Sequence, residues 1–524
     1  MILSRRAVNE FLDRDLDSYL WMKKLLREDI MRELNQLKVK PKFQTEPWLH
    51  QLVCFYIAIC QPRFLFLLDM GLGKSKIIAD IITQIQRERK LEGALVTVPR
   101  LINTDSWVDD LAVHSQLEPW SCNVEDTEEK WERLAYPQGD VTLIDYQGLS
   151  LAVCKKGIVK QRNGKTKNGL VQDDKKIKHL LKQYNFIGID ESHKLSNHDN
   201  LWYGVMDKLC RNAEFCYATT GTLFGKDAEA IWAQFYLVDR GETFGENLGL
   251  FRAGFFNAKM NPWKGTEYIF NQKMDSKLHA MLQHKSLRYD EDEVLDLPLR
   301  VARTQTFEMG VEQAEHYLRA VEGLINATGK LTELDANWLR MRQIISGYLA
   351  WKDGNGDHVL RFKHNPKLDG LERLIDEMGD SKIVVCYDYT ETGKMIAERV
   401  KEMGIGYEWY YGGTKDKTGS RRRFLEDPKC RVFVMNSEAG GTGNDGLQKV
   451  ARYMVFYETP TPPITRKQTV KRIHRPGQTQ RSFIYDLVMR KSIDKGILES
   501  IAENVDIYEK VVNGRAKKSL LLGL

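Results

Sequence analysis

No apolar run in the sequence approaches the roughly 18 residues that a membrane-spanning helix needs. The amino-terminal stretch carries Arg5 and Arg6 but no apolar signal core, so a secreted product is not expected. Cysteine is sparse: eight residues, none in a CxxC pair, most inside apolar stretches such as VCFYIAIC. That pattern points to buried free thiols in the cell interior, not to a disulfide or zinc framework. Short-period repeats and low-complexity tracts are lacking, and so is a one-sided charge. Lys and Arg total 78 against 72 acidic residues, and a net +6 over 524 residues is too small to mark a nucleic-acid binder. Any basic footprint has to be local. What is present, 42% hydrophobic and 29% charged residues, is ordinary globular usage and excludes wholesale disorder. At about 150 residues per domain, the length predicts three or four units.

Residues 1–40 place Leu20, Met22, Leu25, Ile30, Leu34 and Leu37 at loosely helical spacing ahead of Pro41, which predicts a helical extension. Over 41–240, short apolar runs alternate with helical patterns. Phe64–Leu68, Ala94–Val98, Val141–Tyr146, Phe186–Ile189 and Phe215–Thr219 are rich in β-branched and aromatic residues. Such runs fit strands buried on both faces of a parallel sheet. Ile77, Ile78, Ile81, Ile82 and Ile85 mark a helix after the first of them. The segment 241–355 loses this rhythm and reads as a helical insertion with an acidic connector, Tyr289–Glu293. Alternation returns over 356–500, at Lys382–Tyr387, Val432–Met435, Met454–Tyr457 and Phe483–Tyr485, and 501–524 read as a helix or tail. The expected class is α/β, two doubly wound parallel sheets with helical insertions.

The first chemical signal is Asp69-Met70-Gly71-Leu72-Gly73-Lys74-Ser75, which follows a strand and opens a helix. Gly71 and Gly73 let the backbone approach phosphate oxygens, and amides at the helix start point at them. Lys74 suits β/γ-phosphate charge and the Ser75 hydroxyl suits Mg²⁺. The strict phosphate-loop pattern wants a glycine where Leu68 stands. The second signal is Asp190-Glu191-Ser192-His193 at the end of a buried strand, 116 residues after Lys74. Asp190 suits Mg²⁺, and Glu191 suits orienting and deprotonating a water. The third is Gln468–Gln478, where Arg472 and Arg475 stand three apart, expected on one helical face and able to stabilise a γ-phosphate in the transition state.

These segments, in this order, resemble the superfamily 2 helicase-like ATPases, specifically the Swi/Snf-like double-stranded DNA translocases, over about 45–490. Gln51, in Trp48-Leu49-His50-Gln51, resembles the adenine-reading glutamine. Thr97-Val98-Pro99, Asp145-Tyr146, Thr219-Thr220-Gly221-Thr222 and Val384–Tyr387 resemble further helicase motifs, with Leu223 where proline is usual. Ala439-Gly440-Gly441-Thr442-Gly443 resembles the glycine-rich motif of the second lobe, with Gly443 at the nucleotide; the Asn444–Gln448 stretch after it is one residue longer than the pattern. DESH together with the Arg475-Pro476-Gly477-Gln478 ending is most similar to the annealing-helicase branch. The resemblance implies two RecA-like lobes with ATP in their cleft and Mg²⁺ as cofactor. It also implies movement on duplex or branched DNA, largely independent of sequence, in replication, recombination or repair.

Residues 155–182 hold ten Lys/Arg against Asp173 and Asp174, with Asn163-Gly164 and Asn168-Gly169 as turn signals. A basic β-hairpin or long loop is expected there, with Lys165, Lys167, Lys175 and Lys176 as candidate phosphate contacts. Arg422, within Arg421-Arg422-Arg423, is a further candidate, whereas Trp232 and Trp351 read as core. The alternatives are a strand-separating DNA or RNA helicase, a binding module with a degenerate nucleotide site, and a small-molecule kinase; the second α/β region counts against the last. A monomer is expected, in the cytoplasm of a bacterial or virus-infected cell, or in the nucleus if the source is eukaryotic.

Overall fold

The computed structural model describes residues 5–100, 102–160, 166–221, 229–260, 266–294, 297–326, 331–354, 356–438, 446–503 and 521–523. It divides into two compact units, Met1–Met260 with Thr266–Leu295, and Asn261–Gly265 with Asp296–Leu524. The strands of the first unit are β1 (Arg63–Leu68), β2 (Ala94–Val98), β3 (Pro119–Ser121), β4 (Val141–Asp145), β5 (Cys154–Lys160), β6 (Thr166–Gln172), β7 (Phe186–Asp190), β8 (Phe215–Thr220), β9 (Phe256–Met260), β10 (Thr266–Phe270) and β11 (Ser286–Tyr289). Those of the second are β12 (Arg300–Phe307), β13 (Tyr348–Asp353), β14 (Gly356–Arg361), β15 (Lys382–Tyr387), β16 (Gly406–Tyr410), β17 (Cys430–Asn436), β18 (Ala451–Phe456) and β19 (Ser482–Met489).

Among the described residues the first sheet runs β11-β1-β8-β7-β2-β4-β3, every neighbouring pair parallel. Its strands are apolar at consecutive positions because both faces are covered. In β1, Leu65 and Leu67 enter one core, while Phe64, Phe66 and Leu68 enter the other. The helix Lys74–Arg87 lays Ile77, Ile78, Ile81, Ile82 and Ile85 on that second core. Burial of each such isoleucine contributes about 1.5–3 kcal/mol before side-chain entropy is subtracted. The amino-terminal extension serves both faces. Phe11 of helix Arg5–Leu12 joins the first core, and Ile30 and Leu34 of helix Arg27–Gln36 join the second.

The second unit repeats the plan with the order β12-β19-β18-β15-β17-β16, again parallel throughout. Ile383, Val385 and Tyr387 of β15 face one core, Val384 and Cys386 the other. The α/β class with two parallel sheets is therefore observed.

The segment 241–355 differs from its expectation. It holds strands as well as helices, and it is shared between the units: β11 pairs with β1, and β12 pairs with β19. Both pairings join residues far apart in sequence, so local periodicity carries no trace of them. The acidic connector Tyr289–Glu293 is only partly exposed, at Asp292 and Glu293. Tyr289 and Glu291 are buried, and the Glu291 amide donates to Asp69 Oδ2 at 3.4 Å. In the tail, residues 504–520 lie outside the described residues, while Leu521 is buried and its carbonyl accepts from the Tyr317 hydroxyl at 2.7 Å. Six of the eight cysteines are buried; Cys60 is exposed and Cys154 intermediate. Trp232 is core, but Trp351 is 41% exposed.

Gly347 joins helix Leu331–Ser346 to β13 at φ +105°, and a Cβ there would stand 1.9 Å from the Asn365 amide nitrogen. Gly347→Ala is expected to destabilise the second unit by at least the roughly 1–2 kcal/mol of left-handed strain, read as a lowered urea midpoint with an unchanged slope.

Candidate active site

The phosphate loop is built by β1 and the helix that follows it. Gly71 and Gly73 adopt φ +86° and +73°, backbone conformations that residues with a Cβ rarely take. Leu68, which departs from the strict pattern, is the last residue of β1 and fully buried, so the departure lies in the core and not in the turn. Gln51 braces the loop. Its Oε1 accepts from the Trp48 amide at 2.9 Å, and its Nε2 donates to the Leu72 carbonyl at 3.2 Å. A Cβ on Gly73 would meet that Nε2 at 2.3 Å, so a side chain there would displace the Gln51 amide from the loop as well as strain φ.

The strand order β1-β8-β7 then brings three chain ends together. Lys74 Nζ donates to Glu191 Oε1 at 2.5 Å in a largely buried ion pair. Asp190 accepts from Thr219 Oγ1 at 3.1 Å through Oδ1 and from Trp107 Nε1 at 3.1 Å through Oδ2, and its carbonyl accepts from the Tyr146 hydroxyl at 2.5 Å. Glu191 sits at φ +52°, an uncommon conformation for a residue with a side chain. Its Oε2 lies 3.2 Å from His193 Nδ1 and 3.5 Å from the Thr220 hydroxyl, and that nitrogen is 3.0 Å from the same hydroxyl.

The electrostatics follow from burial of two carboxylates beside one ammonium. Burial raises Asp190 above the usual carboxylate range, with the neighbouring Glu191 charge adding to the effect. Burial acts the same way on Glu191, but Lys74 and His193 outweigh it and hold that carboxyl well below the usual range. Lys74 is lowered by burial and raised more by Glu191 and Asp190, so it remains charged.

The Ser75 hydroxyl donates to Asp110 Oδ2 on helix Ile102–His114. Ser75, Asp190 and Asp110 are hard oxygen donors that suit Mg²⁺. Among the described residues no group of three or more His, Cys, Asp or Glu could hold a metal by itself.

In the second unit, the predicted helical face for the arginines is not what forms. Helix Pro463–Val470 ends before them, and Arg472 and Arg475 lie in the irregular turn that follows. Gly477, at φ +93°, and Gln478 close that turn. Gln478 Nε2 donates to the Ala451 and Ile473 carbonyls, both at 3.0 Å. Past Val470 the Arg472 and Ile473 amides donate to the Thr469 and Val470 carbonyls in tight turns, and the Gln478 bonds with the left-handed Gly477 hold the chain beyond the arginines. Arg472 is buried and Arg475 half-buried. Gly443 and the rest of 439–445 lie outside the described residues, as do Leu223 and Lys165.

The basic segment forms the antiparallel hairpin β5–β6, pairing Lys160 with Thr166 and Cys154 with Gln172. Asn168-Gly169 falls within β6 and makes no turn. Lys156 and Lys175 are exposed; Lys167 lies on β6, its side chain outside the described residues. Lys176 is committed elsewhere, donating to the Ala152 carbonyl at 2.9 Å and lying 4.7 Å above the Trp131 ring. Arg422 is exposed on helix Lys417–Glu426. Trp107 and Asp110 were not foreseen, and the helicase-motif reading of Tyr146 does not include its bond to the Asp190 carbonyl. The only trace of the first two is their three-residue spacing, which puts both on one helix face.

Residues 21–350 match the SNF2-related domain, well over half of the chain. The chain belongs to the SNF2-related family. Among its relatives, an uncharacterized ATP-dependent helicase, YqhH, of Bacillus subtilis is 28% identical over 156 residues, 30% of this chain and 27% of that protein. The chromatin-remodeling ATPase INO80 of Aspergillus niger is 25% identical over 194 residues, 37% of this chain and 10% of that protein. The match thus spans about a quarter of the bacterial relative and a tenth of the fungal one. Two solved structures are similar in fold. The Sulfolobus solfataricus SWI2/SNF2 ATPase core in complex with dsDNA shares 19% identity over 91% of this chain and 95% of its own, at a TM-score of 0.41. The Pyrococcus furiosus Hef helicase domain shares 16% over 90% and 98%, at 0.49. The first unit of this SNF2-related chain brings together a phosphate loop, an ammonium and a carboxylate pair at adjoining strand ends.

Lys74→Met leaves two buried carboxylates without their cation and should cost about 3 kcal/mol at neutral pH. A carboxyl held below its unfolded value lends stability that is present above that value, 4.5 for Glu191, and lost as pH falls through the folded one. Without Lys74, burial acts on both carboxyls largely unopposed and raises them, so the variant takes up protons and recovers stability as pH falls towards 4.5, before the wild type loses its own. The gap is expected to narrow, as measured by denaturant unfolding from pH 7 to 4.

Proposed function

We propose that this chain is an ATP- and Mg²⁺-dependent motor that moves on double-stranded or branched DNA. The Lys74–Glu191 ion pair, flanked by Asp190 and tied to Thr219 and Thr220 of β8, is the observation that carries this reading. In the proposed cycle, Lys74 leaves Glu191 for the β/γ-phosphates of ATP. Glu191 then loses the charge that depressed it, and burial raises its basicity. Held by His193 and Thr220, it orients a water and takes its proton. Mg²⁺, held by Ser75 and Asp190, would neutralise phosphate charge. Arg472 and Arg475 would add positive charge to the γ-phosphate as it transfers. Because Thr220 touches both Glu191 and His193, a change at the nucleotide reaches β8 directly. DNA as the track is supported by the hairpin β5–β6 and by the excess of ten basic over two acidic residues in 155–182. The relatives' names, an ATP-dependent helicase and a chromatin-remodeling ATPase, agree with that direction.

ATPase assays with single-stranded, blunt-duplex and forked DNA, and with RNA, test this. Duplex or forked DNA should stimulate hydrolysis, Glu191→Gln should lower the stimulated rate by at least about 10²-fold, and Arg475→Ala by about 10³-fold. Wild-type protein that hydrolyses no ATP with any nucleic acid overturns the reading. Displacement of a third strand from a triplex, without unwinding of a tailed duplex, separates translocation from strand separation. For the hairpin and the helix Asp174–Gln183 that follows it, Lys156→Ala together with Lys175→Ala should weaken duplex binding and reduce the slope of log affinity against log salt by about 2; an unchanged slope rejects this contact.

A further inference from the structure

In the second unit, helices Val311–Asn326 and Leu331–Ser346 pack together, and the hairpin β13–β14 folds back beside them after the Gly347 turn. The three elements border an open cavity of about 310 Å³. His316 and Arg319 reach it from the first helix, Asn337 and Arg340 from the second, and Lys352 from β13. Each helix offers its pair at a three-residue spacing, so the two polar pairs converge. Among the described residues the lining contains no carboxylate, and aliphatic side chains such as Ile344 form its base. Arg319 stands 4.0 Å from Glu315 and Lys352 3.2 Å from Asp357, but both pairs are at least 63% exposed and weakly held. An incoming phosphate can replace them.

Trp351 lies on the rim. It faces His358 directly across the hairpin, rings 5.2 Å apart and 18° from parallel, and 41% of its surface is exposed. The histidine backs the indole, which leaves a large aromatic surface presented beside three cations. Nothing in the fold of the sheet demands an exposed tryptophan here. The base beneath is tied to the rest of the unit by hydrogen bonds. Arg342, two residues from Arg340 and fully buried, donates to Asp388 Oδ2 at 2.9 Å and to the Thr459 carbonyl at 3.0 Å. Tyr457 fixes the end of the same helix through the Ser346 carbonyl at 2.9 Å.

We infer that this cavity and Trp351 form a binding site for an unpaired nucleotide of a nucleic-acid strand, with the base stacked on the indole and its phosphate among Arg319, Arg340 and Lys352. Stacking on an aromatic ring is tolerant of sequence, and a cationic pocket alone would not distinguish paired from unpaired strands. The pairing of the two selects single-stranded segments, such as those at a branch. This rests on the nucleic-acid part of the proposed function but not on hydrolysis.

The test is fluorescence anisotropy of the full chain with labelled oligothymidylate, forked duplex and blunt duplex. Trp351→Ala should weaken oligothymidylate and fork binding by about tenfold and blunt-duplex binding by less than about twofold, with Trp351→Phe restoring most of the loss. Arg319→Ala with Arg340→Ala should lower the salt slope on oligothymidylate by about 1.4. Basal ATP hydrolysis should be unchanged in all three, which shows that they remain folded. Equal losses on blunt and forked DNA, or no loss with Trp351→Ala, overturn this site while leaving the motor reading standing. Thymidine monophosphate that competes as tightly as the oligonucleotide overturns the strand assignment in favour of a free nucleotide. A wild-type chain that binds no nucleic acid overturns both readings.

Discussion

One ammonium between two carboxylates governs the first unit. Lys74 comes from the end of β1 and Glu191 from the end of β7, and these strands are not neighbours. β8 lies between them and contributes Thr219 and Thr220 to the two acids. Buried carboxylates are tolerable only with a cation and donated hydrogen bonds at hand. Hence the register of three parallel strands, the two left-handed glycines of the loop and the positive φ of Glu191 all serve one arrangement. Shifting any of the three strands by a residue would turn its terminal side chains to the opposite face.

The second unit shows the same dependence on satisfied buried polarity, applied to positioning. Glu458 accepts from the Asp388 and Tyr389 amides at 2.7 and 3.0 Å and from the Thr392 hydroxyl at 2.7 Å. Arg342 joins that cluster from a helix, and a Lys367–Asp494 pair at 2.8 Å lies buried nearby in the fold. Arg466 meets Asp486 through two parallel bonds of 2.6 and 2.8 Å just before the arginine turn. Bonds of this kind add geometric specificity to attraction. They fix where Arg472 and Arg475 begin and where the helix beneath the Trp351 cavity ends.

Much of the site was legible because its chemistry is local. A loop of seven residues and a four-residue acidic motif each declare themselves by residue type and spacing. What was not legible came from distance or competition. Trp107 and Asp110 reach the site from a helix whose sequence is only weakly amphipathic to the eye, and nothing near them names Asp190 or Ser75 as partner. The arginines were expected on a helix because spacing of three suggests one, yet the helix gives way at Val470 to tight turns before either arginine. Lys176 looked like a phosphate contact by charge alone, and a neighbouring carbonyl and indole hold it instead.

Strand identity, the α/β class, the phosphate loop and the acidic pair were determined by the sequence itself. Apolar runs on a doubly covered sheet and glycines at a tight turn are short-range requirements that leave a short-range signature. Only the tertiary structure decided that residues 241–355 are divided between two units. It alone placed Thr219 and Thr220 between loop and acids, and left Trp351 at the surface above three cations. Those outcomes depend on which strands and helices pack together across long stretches of chain, and pairwise packing of that kind is not written in any single window of sequence.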